Sequence, residues 1–374
     1  MSDISRAITL NLPPRIEIGR GAAARLGEWA AGYSRVLVIA QPVTAGMTGR
    51  LGLGDAVTVF EGVAPEPKGS DLSAALDIAR TVRPDLVVGL GGGSVMDVAK
   101  LVAVLWDGDQ SLSDVAGPNR VAARHSALAQ VATTAGTGSE GGIRALITDE
   151  ATGMKVAVES PYMLADLAVL DPELTMTVPA DVTAATGVDA LAHCVEAFTN
   201  INAHPLIDGY ARMGIALAGR FLARAVADPT DAEARGGMLL SSFYGGLCLG
   251  PVNTAAGHAL AYPLGTRAGL PHGLSVALLF PHVLGFNAPS CAEKTSEIIQ
   301  MLGLEPATDA DAVVRQADDF CAALGMDMSL KAHGVQQADL PAWAAEAHAI
   351  RRLMDNNPRD MSVADIEAIY RAAF

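Results

Sequence analysis

Residues Asp85–Lys100, DLVVGLGGGSVMDVAK, contain the pattern that decides the fold of the N-terminal half. An apolar run of strand length enters a glycine cluster, and helical spacing begins at Val95. Apolar residues without alternation are typical of a strand buried on both faces of a parallel sheet. The backbone N–H groups of Gly91–Ser94 would then converge at the start of a helix, which suits a pyrophosphate. The spacing is not a strict GxGxxG, so a simple tight turn is the alternative.

The segments on both sides of this stretch repeat the order of strand and helix. Predicted strands lie at Ile8–Leu12 (ITLNL), Arg15–Gly19 (RIEIG), Arg35–Ala40, Ala56–Gly62, the run before the glycines, and the run that begins at Ala127. Predicted helices lie at Ala22–Ala31, Asp71–Thr81 and Val95–Leu105. Such alternation predicts an α/β fold with a doubly wound, mostly parallel sheet that binds ligands at the carboxyl ends of its strands.

From Pro179 onward the pattern becomes helical throughout. Long Ala/Leu-rich segments with helical period predict helices at Ala180–Phe198, Pro205–Ala227, Ala232–Leu249 and Pro271–Phe286. We therefore expect two domains, an α/β nucleotide-binding domain over residues 1–178 and an all-α, metal-binding domain over residues 179–374.

Composition limits the classes of partner. The 374 residues carry a net charge of −15, which argues against nucleic acids and anionic membranes as partners. The most apolar stretches are interrupted by charged residues, so none is expected to span a membrane. Four scattered cysteines without CxxC spacing predict reduced core thiols and a cytoplasmic protein.

A candidate metal site lies in the helical half. Asp189 and His193 are four residues apart in a segment with helical period, so both side chains emerge on one face. His258 and His272 follow in GHALAYPLGTRAGLPHG. One carboxylate and three imidazoles form a ligand set suited to a divalent first-row metal. A surface Asp/His pair or a satisfied buried histidine is the alternative.

Together these motifs carry a resemblance. GGGSVMDVAK, TTAGTGSE, DPELT, the Asp189/His193 pair, GHALAYPLG, PHG and the DNNPRD of Asp355–Asp360 resemble the iron-containing (group III) alcohol dehydrogenase family, in the same order over nearly the whole chain. The resemblance implies a metal-dependent alcohol dehydrogenase, or aldehyde or ketone reductase, that uses NAD or NADP and Fe²⁺ or Zn²⁺. It also implies a homodimer. The four metal ligands are carried over to Asp189, His193, His258 and His272, and the cofactor contacts to Gly91, Gly92, Gly93, Ser94, Asp97, Thr133, Thr134, Lys155 and Leu174.

Two positions depart from the family pattern. Tyr262 stands where family members often carry a histidine, four residues after His258, so either a proton relay or a packed tyrosine is expected there. Gln41 stands where an aspartate often binds the ribose of NAD, so the choice between NAD and NADP stays open.

Arg144 is the third departure, at a position where similar enzymes place a residue of the substrate pocket. Its guanidinium would bind an anionic substrate if it faces the metal. The alternative is a salt bridge to an acidic residue such as Glu140 or Asp149, which would favour neutral substrates.

Two other enzyme classes and a binding module are the competing hypotheses. A maleylacetate-reductase-like enzyme would also use a basic pocket, but such enzymes usually lack part of the metal ligand set. A dehydroquinate-synthase-like lyase would need several Lys and Arg residues around its phosphate pocket, and the helical half is poor in lysine. A module without activity would not be expected to keep four ligands.

Overall fold

The computed structural model describes residues 3–54, 57–150, 153, 155–307 and 309–374. The chain divides into two compact units. One spans Leu10–Val178, and the other spans Pro179–Phe374 together with the N-terminal segment that ends at Thr9. The helical unit therefore includes a short segment that the sequence alone assigns to the α/β half.

The α/β unit contains a large parallel sheet and a small mixed sheet. Its strands are β1 Arg15–Ile18, β2 Val36–Ala40, β3 Val57–Phe60, β4 Leu86–Gly91, β5 Gly117–Pro118, β6 Ala127–Ala132, β7 Arg144–Thr148, β8 Lys155–Glu159 and β9 Leu167–Leu170. Its α-helices are α1 Arg25–Trp29, α2 Pro42–Ala45, α3 Gly69–Val82, α4 Gly93–Leu105 and α5 Leu112–Val115. The six-stranded sheet has the order β1-β9-β6-β4-β2-β3 with every pair parallel. In the small sheet, of order β5-β8-β7, strands β7 and β8 are antiparallel.

Side chains of the central strands alternate between two hydrophobic clusters. Leu37, Ile39 and Val87 belong to one cluster, whereas Val38 and Val88 belong to the other. Because neighbouring residues of a strand point to opposite faces, both faces of the sheet are covered. The predicted α/β class and its mostly parallel sheet are confirmed.

Three elements predicted from the sequence differ from the structure, one of them entirely. The strand predicted at Ile8–Leu12 is wrong, since no strand is assigned there. Pro13 and Pro14 follow it directly and lack the N–H groups that a sheet ladder needs. The strand predicted from Ala56 is found as β3, and Ala56 itself lies outside the described residues. The helix predicted at Ala22–Ala31 is a single short helix, α1, flanked by 3-10 turns.

The second unit is built from helices, as predicted. They are α6 Ala180–Thr199, α7 Pro205–Ala227, α8 Ala232–Leu249, α9 Ala256–Ala268, α10 His272–Asn287, α11 Ala292–Met301, α12 Ala310–Ala322, α13 Leu340–His348, α14 Arg351–Met354 and α15 Val363–Ala372. Helix α6 packs against α7, α8 and α10, so most of its surface is buried. This burial matters because α6 carries two of the predicted metal ligands.

The predictions drawn from composition concern the cysteines and membrane-spanning segments. All four cysteines are free thiols, and Cys194, Cys248 and Cys321 are buried as expected. No helix within the described residues combines the length and the apolar character that crossing a membrane requires.

Candidate metal centre and nucleotide loop

Helix α6 places Asp189 and His193 one turn apart inside the helical unit. Both side chains are almost completely buried, and Nε2 of His193 lies 3.8 Å from Oδ1 of Asp189. The carboxylate is therefore held away from water with an imidazole beside it. A buried charge of this kind requires partners.

Two further imidazoles reach the same carboxylate oxygen. Nε2 of His258 lies 3.3 Å from Oδ1 of Asp189, and Nε2 of His272 lies 3.7 Å from it. The potential ligand atoms of these three residues all lie within 4.8 Å of one another. The ring of His193 stacks on that of His258 with centroids 4.6 Å apart. Three of the four residues that the sequence singles out thus surround one carboxylate oxygen of the fourth, Asp189.

Glycines around the third and fourth histidines make this convergence sterically possible. Helix α9 ends at Ala268, its C-cap Gly269 is in the left-handed conformation (φ 70°), and α10 begins at His272. A Cβ atom on Gly273 would lie only 2.9 Å from the carbonyl oxygen of Ala185 on α6. The first turn of α10 can therefore approach α6 only because residue 273 has no side chain.

The buried oxygen and nitrogen that face each other lack hydrogen bonds. Within the described residues, Oδ1 of Asp189 and Nε2 of His258 have no hydrogen-bond partner. Such orphaned buried atoms are rare in proteins and call for an explanation. A cation placed between a carboxylate oxygen and imidazole nitrogens would satisfy them all. The residues present therefore fit a divalent first-row metal.

The protonation equilibria of these groups agree with a site for a cation. Burial tends to raise the pKa of Asp189, but the imidazoles of His193, His272 and His258 hold it well below its usual value. Burial lowers the pKa of His193 to about 4, so this ring is neutral at pH 7. Burial also acts to lower the pKa of His258, yet the carboxylates of Glu196 and Asp189 raise it to about 10. Metal binding at Nε2 of His258 would therefore compete with protonation of this ring.

Tyr262 lies one helical turn after His258 on α9. Its ring stacks on that of His272 with centroids 6.3 Å apart. Its hydroxyl accepts a hydrogen bond of 3.0 Å from Nη2 of Arg352, whose guanidinium also lies over the ring. The phenol is therefore held beside one of the histidines and next to a fixed positive charge.

In the α/β unit, the predicted glycine loop joins β4 to α4. Gly92 is the N-cap of α4, and the helix begins at Gly93. A Cβ atom on Gly92 would lie 2.8 Å from Oγ1 of Thr134, and one on Gly93 would lie 2.6 Å from Cγ2 of Thr137. Glycine is thus required by close packing against the neighbouring threonine segment. With Ser94 in the first turn, the loop presents backbone N–H groups at a helix N-terminus.

The other predicted cofactor contacts occupy four different environments. The amide of Thr133 donates to the carbonyl oxygen of Gly91 at 3.1 Å, so the threonine segment is fixed to the loop. Lys155 forms an ion pair with Glu66. Leu174 is 1% exposed and belongs to a hydrophobic cluster of the unit. Gln41 caps α2 directly after β2, and its backbone N–H donates to Oγ1 of Thr44 at 3.1 Å.

Asp97 is engaged by the protein itself. Its Oδ1 accepts a 2.7 Å hydrogen bond from the hydroxyl of Ser139, and its Oδ2 accepts a 2.9 Å bond from the amide of Leu146. The carboxylate therefore ties α4 to β7. The sequence-based reasoning overlooked Lys100, which is completely buried one turn later. Its ammonium donates to Ser139 Oγ at 2.7 Å and to the carbonyl oxygen of Arg144 at 2.8 Å.

Arg144 forms the salt bridge that was the alternative to substrate binding, but with a different acid. Its Nη2 and Nε donate to the same oxygen of Glu159, at 2.7 and 3.1 Å. The two residues face each other directly in the antiparallel β7–β8 pair. Glu159, which the sequence did not suggest, thus contacts this guanidinium.

The fold and these sites agree with a single family of proteins. Residues 13–172 match the model for iron-containing alcohol dehydrogenases, and residues 183–374 match the model for the C-terminal part of the same family. The chain is 37% identical to long-chain-alcohol dehydrogenase 1 of Geobacillus thermodenitrificans, over 97% of this chain and 95% of that protein.

Solved structures give the same result. A crystal structure of 1,3-propanediol oxidoreductase superposes with a TM-score of 0.93 at 30% identity, covering 99% of this chain and 100% of that one. Sulfoacetaldehyde reductase from Bifidobacterium kashiwanohense, in complex with NAD⁺, superposes with a TM-score of 0.89 at 28% identity, covering 99% of each chain. The chain belongs to the iron-containing alcohol dehydrogenase family. It is an oxidoreductase that acts on CH–OH groups.

Proposed function

We propose that the protein interconverts small alcohols and the corresponding aldehydes or ketones, with NAD or NADP as the hydride carrier and one divalent metal ion per chain. The observation that supports this most is the pair of orphaned atoms, Oδ1 of Asp189 and Nε2 of His258, 3.3 Å apart. Leaving a buried carboxylate oxygen and a buried imidazole nitrogen without partners is costly, and a cation shared between them would remove this cost.

In this proposal Asp189, His193, His258 and His272 hold the metal, with Fe²⁺ as the native ion and Zn²⁺ as an ion that suits the same ligands. A metal held there would supply a Lewis acid for the oxygen of the substrate, and a bound nicotinamide would supply the hydride donor or acceptor for its carbon. Oxidation of an alcohol then yields the carbonyl product, the reduced nicotinamide and one proton.

The remaining residues bind, position and move protons. The backbone N–H groups of Gly91–Ser94 bind the pyrophosphate, and Thr133 and Thr134 line the same loop. Gln41, Lys155 and Leu174 flank the cofactor, and Asp97 holds α4 in place through Ser139 and Leu146.

The hydroxyl of Tyr262 exchanges the proton of the substrate oxygen, assisted by the adjacent guanidinium of Arg352. We propose accordingly that the α/β unit is the nucleotide-binding domain and the helical unit the metal-binding domain.

The ion pair of Arg144 with Glu159 favours uncharged substrates in this proposal. The carboxylate of Glu159 already neutralises the guanidinium of Arg144 through two hydrogen bonds. An anionic substrate would have to displace that carboxylate, which removes most of the gain from a new ion pair. We therefore place the protein with enzymes of uncharged alcohols and aldehydes rather than with reductases of anionic ones.

A homodimer is the proposed assembly. Strand β1 lies at the end of the six-stranded sheet and pairs with β9 on one side. An open strand edge with an exposed Ile18 is a surface that proteins usually cover or pair.

Purification without oxygen, followed by metal analysis and a substrate screen, tests the proposed function. The metal-stripped chain would be reloaded with Fe²⁺ or Zn²⁺ and offered straight-chain alcohols and aldehydes with each nicotinamide cofactor. We expect metal-dependent formation or consumption of the reduced nicotinamide. Turnover that is unaffected by removing the metal would overturn the proposal.

A further inference from the structure

Glu196, a second carboxylate on α6, contacts His258, one of the four proposed metal ligands. Glu196 lies seven residues after Asp189 and three after His193, which places all three on the same face of the helix. It is 7% exposed. The family resemblance assigns it no role, and the spacing of the four predicted ligands does not include it.

Both oxygens of Glu196 accept hydrogen bonds around His258. Oε1 lies 3.1 Å from the backbone nitrogen of His258 and 3.1 Å from Nδ1 of the same residue. Oε2 accepts a short hydrogen bond from the backbone nitrogen of Ala255. One carboxylate therefore fixes the start of α9 and the imidazole that this helix carries.

These contacts determine which nitrogen of the imidazole carries a proton. An ionised carboxylate can only accept hydrogen bonds, so Nδ1 of His258 must be the donor. In the neutral ring this leaves the lone pair on Nε2, the atom that lies 3.3 Å from Oδ1 of Asp189. Carboxylates that bind the outer nitrogen of a ligating histidine fix its tautomer and orientation in many metal sites.

The absence of a side chain at Gly257 leaves room for the carboxylate of Glu196. A Cβ atom on Gly257 would lie 2.1 Å from Oε1 of Glu196, so a side chain at position 257 would displace the carboxylate. Beside it lies a small cavity of about 20 Å³, whose lining includes Glu196, Thr199 and Asn287. That volume is enough for about one water molecule.

We propose that Glu196 is a positioning residue of the metal centre, which holds His258 as the tautomer with a free Nε2. The inference rests on the proposed metal-binding function. Its quantitative consequence is that losing the acceptor pair weakens metal binding by about tenfold to a hundredfold.

The experiment measures the dissociation constant of Zn²⁺ for the full chain by competition with a chelator, without substrate or cofactor. Glu196→Gln keeps the volume but introduces an amide NH₂ among N–H donors, and we expect it to bind Zn²⁺ about tenfold to a hundredfold more weakly. Glu196→Asp keeps two acceptors and should recover part of the affinity. Thr199 lies in the same cavity lining, and its hydroxyl donates to the carbonyl oxygen of Val195. Thr199→Val is therefore the matched control and should stay within about twofold of the wild type.

The order of affinities separates positioning from simple packing. If Glu196 only fills space, Glu196→Gln should bind Zn²⁺ as the wild type does and Glu196→Asp should be the weaker variant. That order would overturn the inference. An equal loss in Thr199→Val would overturn it as well. A wild type that binds no divalent metal would instead remove the proposed function together with this inference.

A crystal structure of the Zn²⁺-loaded wild type gives a test that needs no variant. We expect Nε2 of His258 on the metal and Nδ1 within hydrogen-bond distance of Glu196. Coordination through Nδ1 would contradict the assignment, whatever the affinities of the variants.

Discussion

The guanidinium of Arg144 and the carboxylate of Glu159 form a cross-strand ion pair, with Nη2 2.7 Å from Oε2. The side chains are only about a quarter exposed, 25% and 29% respectively, so the pair is partly shielded from water. An arginine in this state offers little attraction to a second anion. Under the proposed function, this pair would favour uncharged substrates.

Wild-type enzyme should prefer a neutral aldehyde over its carboxylate- or sulfonate-bearing isostere. In Glu159→Gln the arginine loses this carboxylate, and kcat/KM for the anionic compound relative to the neutral one should rise about tenfold to a hundredfold, the equivalent of ~1.5–3 kcal/mol for a charge-assisted hydrogen bond. Steady-state kinetics on the two isosteres measure this ratio. A wild type that prefers the anion, with a preference that collapses in Arg144→Gln, would show that Arg144 binds substrate.

Gly92→Val should weaken cofactor binding at least about tenfold, because a branched side chain at the N-cap of α4 obstructs the close approach of a pyrophosphate. Gly108→Val is the matched control in the same unit. A Cβ atom on Gly108 would also lie close to a side chain, 3.0 Å from Nε2 of His125, but Gly108 lies beyond the C-terminal end of α4. Fluorescence titration with the reduced nicotinamide measures both. Equal cofactor affinities in the two variants would place the nucleotide elsewhere.

Tyr262→Phe should lower kcat by about a hundredfold, the lower range for loss of a general acid–base group. Zn²⁺ affinity should not change, since only the hydroxyl that contacts Arg352 is removed. Tyr244→Phe on α8 serves as the control for a hydroxyl deletion in the same unit. If kcat of Tyr262→Phe stays within twofold of the wild type, the tyrosine only packs against His272.

Lys100 should give the α/β unit a stability that increases at alkaline pH. Burial lowers its pKa from 10.5 to about 8. Between these values the unfolded chain retains a proton that the folded protein has lost, so the free energy of unfolding rises with pH. The Tm of the wild type minus that of Lys100→Met should therefore increase from about pH 8 towards pH 10 and stay constant below pH 8. Calorimetry over this range checks it; a flat difference would mean that Lys100 titrates normally.

Much of the fold follows from local patterns in the sequence. The apolar runs that became β2, β4 and β6 are buried on both faces, and helical period marked α7 and α8 at their observed bounds. The strand predicted at Ile8–Leu12 failed because alternation over five residues is a weak signal beside two prolines.

The contacts of the sites were less predictable. Spacing alone places Asp189 and His193 on one face, and Glu196 continues that face, so it could have been found by extending the period to the seventh residue. The partner of Arg144 could not, because it depends on the register between β7 and β8. Lys100 looks like a helix-surface residue in the sequence, and only the packing of α4 against β7 shows that it is buried.

The most direct test is a titration of the metal-stripped chain with Fe²⁺ under anaerobic conditions, following the reduced nicotinamide formed from a small alcohol. Activity should rise to a plateau at about one metal ion per chain, because His193, His258 and His272 surround a single carboxylate oxygen of Asp189. Asp189→Asn, which keeps the size of the side chain but removes its charge, should bind and respond to Fe²⁺ at least about tenfold more weakly. Full activity of the metal-free chain, or an identical titration of Asp189→Asn, would contradict a metal centre at this carboxylate.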